Sequence, residues 1–112
     1  HRYTRTAALY KEFAEVLMQA DRLFLVPIYG ADERPIPGIC SDLIVRTMEE
    51  KGASQVTLCK DIGEAVDRIG GEARRDDLIL TLGAGNVNAA CEQLMSRLEQ
   101  QKSVANAMAC SA

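Results

Sequence analysis

The chain has 112 residues, 47% hydrophobic and 26% charged, which suits one domain with one core and an ordinary polar surface. Thirteen Lys and Arg against sixteen Asp and Glu give a net charge of −3, so nucleic acid is not an expected partner. No apolar run approaches the roughly 20 residues that span a bilayer, so no membrane is expected either. No signal peptide opens the chain, and the expected location is cytoplasmic.

The first element is expected from about Thr4 to Gln19. Ala8, Leu9, Phe13, Val16 and Leu17 recur there at three- and four-residue steps, one helical face, with Thr4 or Thr6 as N-cap. Leu23-Phe24-Leu25-Val26, stopped by Pro27, reads as a short strand buried on both faces. Ile28 to Gly38 holds Gly30, Pro35, Pro37 and Gly38 and reads as a long loop.

A second helix is expected from about Asp42 to Lys51, capped by Ser41 and ended by Gly52, with Leu43, Ile44, Thr47 and Met48 inward. Val56-Thr57-Leu58 is a second strand. Asp61-Ile62-Gly63-Glu64 has the form of a capping box for a helix that runs to about Ile69 and closes at Gly70-Gly71. Arg74-Arg75-Asp76-Asp77 reads as a solvated turn. Leu78-Ile79-Leu80-Thr81-Leu82 carries the strongest strand pattern in the chain, and Gly83-Ala84-Gly85-Asn86 follows it. The last helix is expected from about Val87 to Gln100, on a stripe of Ala90, Cys91, Leu94, Met95 and Leu98. Residues 103–112 read as a disordered tail behind a domain of residues 1–102.

This alternation of strand and helix predicts an α/β fold, a three-layer α/β/α sandwich on a mostly parallel sheet. Ligands of such sheets sit outside the carboxyl ends of the strands. The loop 28–38 and the turn 83–86 should share that rim. The start of the first helix should join them if a strand precedes His1. His1 stands where a native start would have Met, so the chain reads as an amino-terminally truncated piece of a longer polypeptide.

Four cysteines, Cys40, Cys59, Cys91 and Cys110, form no CxxC pair, and His1 is the only histidine. No metal site is expected, and the thiols read as reduced small apolar groups. Arg2 and Arg5 place two guanidiniums on one face at a helix amino terminus, where the dipole is already positive. That arrangement is a clamp for a carboxylate or phosphate, or simply a pair of solvated arginines, and spacing alone does not separate the two. Gly83 and Gly85 let a ligand approach the backbone, or form a tight turn with Asn86 as N-cap. Asp32 and Glu33 can receive an ammonium group or serve as surface acids. No GxxxxGK[ST] phosphate loop is present.

Three of these segments resemble one family. His1-Arg2-Tyr3-Thr4-Arg5-Thr6 with Leu9-Tyr10 and Phe13 is similar to the HR[YF]TRT…LY..F signature of the L-alanine-adding Mur ligases. Tyr29 to Gly38 is similar to their Y-x-A-x-E-x-P-I-x-G loop. Asp77 to Asn86 is similar to their DL[IL]L-x-x-GAG[ND] segment. The likeness runs from His1 to about Leu98 and is specific in its order.

It implies the carboxy-terminal, amino-acid-delivering part of a three-domain cytoplasmic enzyme of bacterial peptidoglycan synthesis. Such an enzyme joins L-alanine to UDP-N-acetylmuramate through an acyl phosphate and converts ATP to ADP. By the resemblance Arg2 and Arg5 hold the alanine carboxylate, and His1, Tyr29, Asp32, Gly83, Gly85 and Asn86 line the site. ATP and Mg belong mainly to other domains, and no catalytic residue is expected in this chain. The piece alone should be inactive, and its uncovered strand edge should favour self-association or pairing with another chain. The competing reading is a non-enzymatic anion-binding α/β module.

Overall fold

A computed structural model describes residues 2–110. Its first helix, α1 (Tyr3–Leu17), forms within two residues of the expected span. Its inward face is shifted. Thr6 and Ala14 are buried, with Tyr10, Phe13 and Leu17 packed beside them, while Val16 is exposed. Neither threonine caps the helix. Arg2 holds the N-cap position without a side-chain bond, and Thr6 Oγ1 donates back to the Arg2 carbonyl at 3.0 Å. The cap comes from outside the helix: Glu33 accepts from the Thr4 N–H at 2.7 Å and from Thr4 Oγ1 at 3.0 Å.

β1 (Leu23–Leu25) and β2 (Val56–Leu58) pair in parallel, with Leu23 opposite Val56 and Leu25 opposite Leu58. Leu23 and Leu25 pack against the core of Ala14, Ile44, Met48 and Ala53 beneath α1 and α2 (Ser41–Glu50). Alternation turns Phe24 to the other face, where α3 (Ile62–Glu72) packs on β1 and α4 (Asn88–Cys110) packs on α3. Arg22 ties the layers together. It stacks over Phe24 at 4.7 Å and bonds both carboxylate oxygens of Glu72 and the Gln55 carbonyl. Helices on both faces of a parallel sheet are the expected α/β architecture.

The details depart from expectation at several helix ends. Ser41 is the first residue of α2, not its cap; its hydroxyl donates to the Val26 carbonyl at 2.6 Å and so fastens α2 to the end of β1. Val45 is buried where Leu43 and Thr47 were expected to be, because the buried stripe runs through Ser41, Ile44, Val45 and Met48. Gly52 ends α2 as expected, at φ +90°. The capping box on α3 forms, with the Glu64 N–H donating to Asp61 Oδ1 at 2.8 Å. The reciprocal bond goes one residue further back, from the Lys60 N–H to Glu64 Oε2 at 2.7 Å. α3 does not stop at Gly70-Gly71. The bare Gly70 backbone is where the Arg97 side chain of α4 lies, and a Cβ there would stand 2.5 Å from Arg97 Nε.

The largest departure is residues 78–82. They form no strand: the segment is extended and unpaired, with Leu78 91%, Leu80 70% and Leu82 67% exposed. An apolar run becomes a strand only against a partner, and among the described residues no strand lies beside this one. β1 is half-buried rather than buried for the same reason, since its second edge is uncovered.

α4 is also longer than expected. Residues 103–110 continue it as helix, exposed through residue 109, where a disordered tail was expected; Ala105, Ala107, Met108 and Ala109 favour helix even without packing. Of its expected stripe only Leu94 is buried, and Met95 and Cys91 are exposed. Among the cysteines Cys59 is buried, whereas Cys40 and Cys91 face solvent rather than pack.

Candidate functional site at the carboxyl rim of the sheet

Three segments converge where β1 ends. The loop that leaves β1 turns at Ala31 and Asp32, which hold positive φ of 46° and 66°. Non-glycine residues adopt that conformation at a cost, and short polar Asp tolerates it best. The turn carries Glu33 to the start of α1. There its carboxylate satisfies one of the N–H groups that a helix leaves open at its amino end. Gly30 sits against Tyr3 of α1, where a Cβ would lie 3.0 Å from the ring.

The glycine turn joins from the other side. Gly85 opens a short 3-10 turn, Gly85–Val87, at φ +71°. The Tyr29 ring lies so close over Gly85 that a Cβ would stand 2.4 Å from it. Glycine is therefore required twice at this position, for its dihedral and for the ring. Asn86 lies inside the 3-10 turn, and Ala84, not Asn86, takes the N-cap position there.

The predicted site residues thus separate into two groups. Tyr29, Gly83 and Asn86 line one cavity, and Gly85 touches it through Tyr29. Arg2 and Arg5 stand at the start of α1 on the same rim, but both are exposed and form no ion pair among the described residues. Neither lines that cavity or its neighbour. Asp32 is exposed at its turn. His1 lies outside the described residues.

Sequence reasoning missed two features of the rim. Glu33 looked like a surface acid, and its task as the cap of α1 lies 29 residues away, beyond any local pattern. The second is a cavity of about 520 Å³ lined by Tyr3, Ile28, Cys40, Cys59, Lys60 and Glu64. In it the Lys60 N–H, and after it the Arg68 guanidinium, hold the Glu64 carboxyl below the usual carboxylate range. Burial, and after it the Glu64 charge, pushes the Cys59 thiol up, which favours its neutral form. The capping-box pattern at Asp61–Glu64 was the one signal in the sequence that pointed there.

In parallel α/β domains ligands sit outside the carboxyl ends of the strands, and in this chain a helix start, a long loop and a glycine turn meet at that rim. The chain is a member of the Mur ligase, glutamate ligase domain family, whose profile matches residues 1–85. It is 42% identical over 101 residues to the UDP-N-acetylmuramate–L-alanine ligase of Solibacter usitatus, covering 90% of this chain and 21% of that protein. It is 38% identical over 100 residues to the ligase of the same name from Geotalea daltonii, covering 89% of this chain and 22% of that protein. Against the one from Dictyoglomus turgidum the identity is 45% over 98 residues, covering 87% of this chain and 21% of that protein. The chain therefore spans about a fifth of the length of the curated relatives it matches.

Proposed function

We propose that the chain is the carboxy-terminal, amino-acid-delivering part of a cytoplasmic UDP-N-acetylmuramate–L-alanine ligase. The observation that carries this reading is the amino end of α1. It already accepts a carboxylate, that of Glu33, on the rim that also holds the glycine turn and two arginines with no ion pair among the described residues. A helix start that binds one carboxylate, with two guanidiniums a turn apart beside it, is suited to a second one supplied by an amino acid. In this reading Arg2 and Arg5 hold the alanine carboxylate, and Tyr29, Asp32, Gly83, Gly85 and Asn86 border it. His1 is assigned to the same border by resemblance alone.

The amine of the held alanine attacks an acyl phosphate made from the sugar carboxylate, and phosphate leaves. The residues described here do not fit a magnesium–nucleotide site. There is no phosphate loop, and no group of three or more His, Cys, Asp or Glu side chains converges among the described residues. ATP and magnesium are therefore assigned to parts of the ligase outside this segment. What this chain supplies is position. Orienting the amine contributes through proximity, and the clamp is worth about 1.5–3 kcal/mol per charge-assisted bond.

In the full-length ligase, Arg2→Ala or Arg5→Ala should raise KM for alanine roughly tenfold or more and leave KM for ATP nearly unchanged. Equal effects on both constants would overturn the clamp. Residues 1–112 alone, given ATP, magnesium, UDP-N-acetylmuramate and alanine, should release no ADP above background. Measurable turnover would place the chemistry inside this segment instead.

A further inference from the structure

The start of α1 is tied down at its backbone, while its two arginine side chains are left free. The Arg2 carbonyl accepts from the Thr6 N–H and from Thr6 Oγ1, each at 3.0 Å, and Thr6 is 2% exposed. A further tie comes from the loop after β1. One oxygen of the Glu33 carboxylate accepts from the Thr4 N–H at 2.7 Å and the other from Thr4 Oγ1 at 3.0 Å. Arg2 and Arg5 lie on either side of Thr4 in the chain, are exposed, and form no ion pair among the described residues.

The partner that Glu33 takes is informative. A carboxylate pairs most strongly with a guanidinium, through two parallel charge-assisted bonds. Two arginines flank Thr4 in the chain, and yet both Glu33 oxygens go to Thr4. The loop is bent to bring this about. The Glu33 N–H donates to the Gly30 carbonyl at 3.1 Å, and the two residues between them, Ala31 and Asp32, hold φ of 46° and 66°. Positive φ at both central positions is the mark of a type I′ turn, which glycine or asparagine fills readily and alanine does not. Such strain persists only where the surroundings fix it. Gly30 closes against the Tyr3 ring and Glu33 against Thr4, so the turn is held to α1 at both of its ends.

We infer that Glu33 is a positioning residue for the amino-acid carboxylate. It acts through Thr4. By holding the second helical residue of α1 it fixes the backbone from which Arg2 and Arg5 project, and by pairing with neither arginine it leaves both to the ligand. Coulomb's law alone argues the other way, since a carboxylate at this place repels the one to be bound. The sign of the effect on binding therefore separates positioning from charge. The inference rests on the reading of Arg2 and Arg5 as the alanine clamp and deepens it.

In the full-length ligase, Glu33→Ala should raise KM for alanine about fivefold or more, with KM for ATP and kcat within about twofold of the parent. Glu33→Gln keeps an acceptor for the Thr4 N–H and should bring KM for alanine back to within about twofold. Thr4→Val removes the hydroxyl bond and keeps the carboxylate charge. It should raise KM for alanine about twofold and add nothing further to Glu33→Ala. If Glu33→Ala does not fold, Thr4→Val decides the matter, and no rise in it would overturn the inference. An unchanged KM for alanine in Glu33→Ala would also overturn it, as the mark of a cap that serves stability alone. A lowered one would do the same, as the mark of charge repulsion, and so would equal rises in both Michaelis constants. Arg2→Ala and Arg5→Ala, measured alongside, keep the two readings apart. A rise in these two with none in Glu33→Ala overturns the positioning role alone. No rise in either arginine variant overturns the clamp, and this inference falls with it.

Discussion

Residues 23–26 and 78–82 read alike, yet only the first becomes a strand. Leu23 to Leu25 pairs with β2 and rests on Met48, which is 0% exposed, while Leu80 is 70% exposed with no neighbour strand. Strand formation in this chain follows from the partner and not from the run itself, because β-propensity measures fit to a half-buried pleated surface. The packed region can be broken by one change. Met48→Ala removes a fully buried side chain from the contact of α1, α2 and β1 and should cost about 2–5 kcal/mol in urea unfolding. Leu80→Ala, the counterpart in the unpaired segment, should stay within about 0.5 kcal/mol of the parent. Equal losses would mean that residues 78–82 are packed after all, and the contrast would disappear.

The join between the two regions is sharper still at Gly85. Alanine there must adopt φ +71° and displace the Tyr29 ring. A loss of about 1–3 kcal/mol is expected, with the Tyr29 ring resonances shifted and those of Tyr10 unchanged. An unshifted Tyr29 ring would show that the loop after β1 and the glycine turn are not coupled.

Much of this was legible in the residues themselves. Helix periodicity gave α1 to α3 within a few residues, Gly52 and the Asp61–Glu64 box marked true ends, and the proline-rich loop stayed irregular. What escaped was whatever depends on a distant or absent neighbour. Glu33 as the cap of α1, Ser41 bonded to Val26, and Arg97 lying on Gly70 are all contacts between segments far apart in sequence. Leu78 to Leu82 failed in the opposite sense, since the pattern assumed a partner. For the candidate site, order along the chain was enough to place Tyr29 and Gly85 together. It left open whether Arg2 and Arg5 clamp an anion or stand in solvent, because spacing does not set side-chain direction at a helix start, and both are exposed.

The smallest expected effect separates the two regions by pH. The Glu64 carboxyl lies below its ordinary value because the Lys60 N–H and then Arg68 favour its charged form, and Glu72 is lowered in the same way by Arg22. A lowered folded value means that each contributes stability above the ordinary carboxylate pKa and loses it as pH falls through the folded value. Cys59 has the opposite sign: its raised value favours the neutral thiol, so its contribution is present below the ordinary thiol pKa and lost as pH rises through the folded one. Followed from pH 6 toward pH 3, amides at the start of α3 and around Arg22 should therefore lose protection relative to the falling intrinsic exchange rate. Residues 78–82 hold no paired carboxylate and should follow the intrinsic rate alone. Glu64→Gln should flatten the acid response at α3 and leave the Arg22–Glu72 response in place. If residues 78–82 also lost protection in acid, the unpaired segment would have to be tied to the α3 layer by contacts beyond those described, and its independence from the packed sheet would fail.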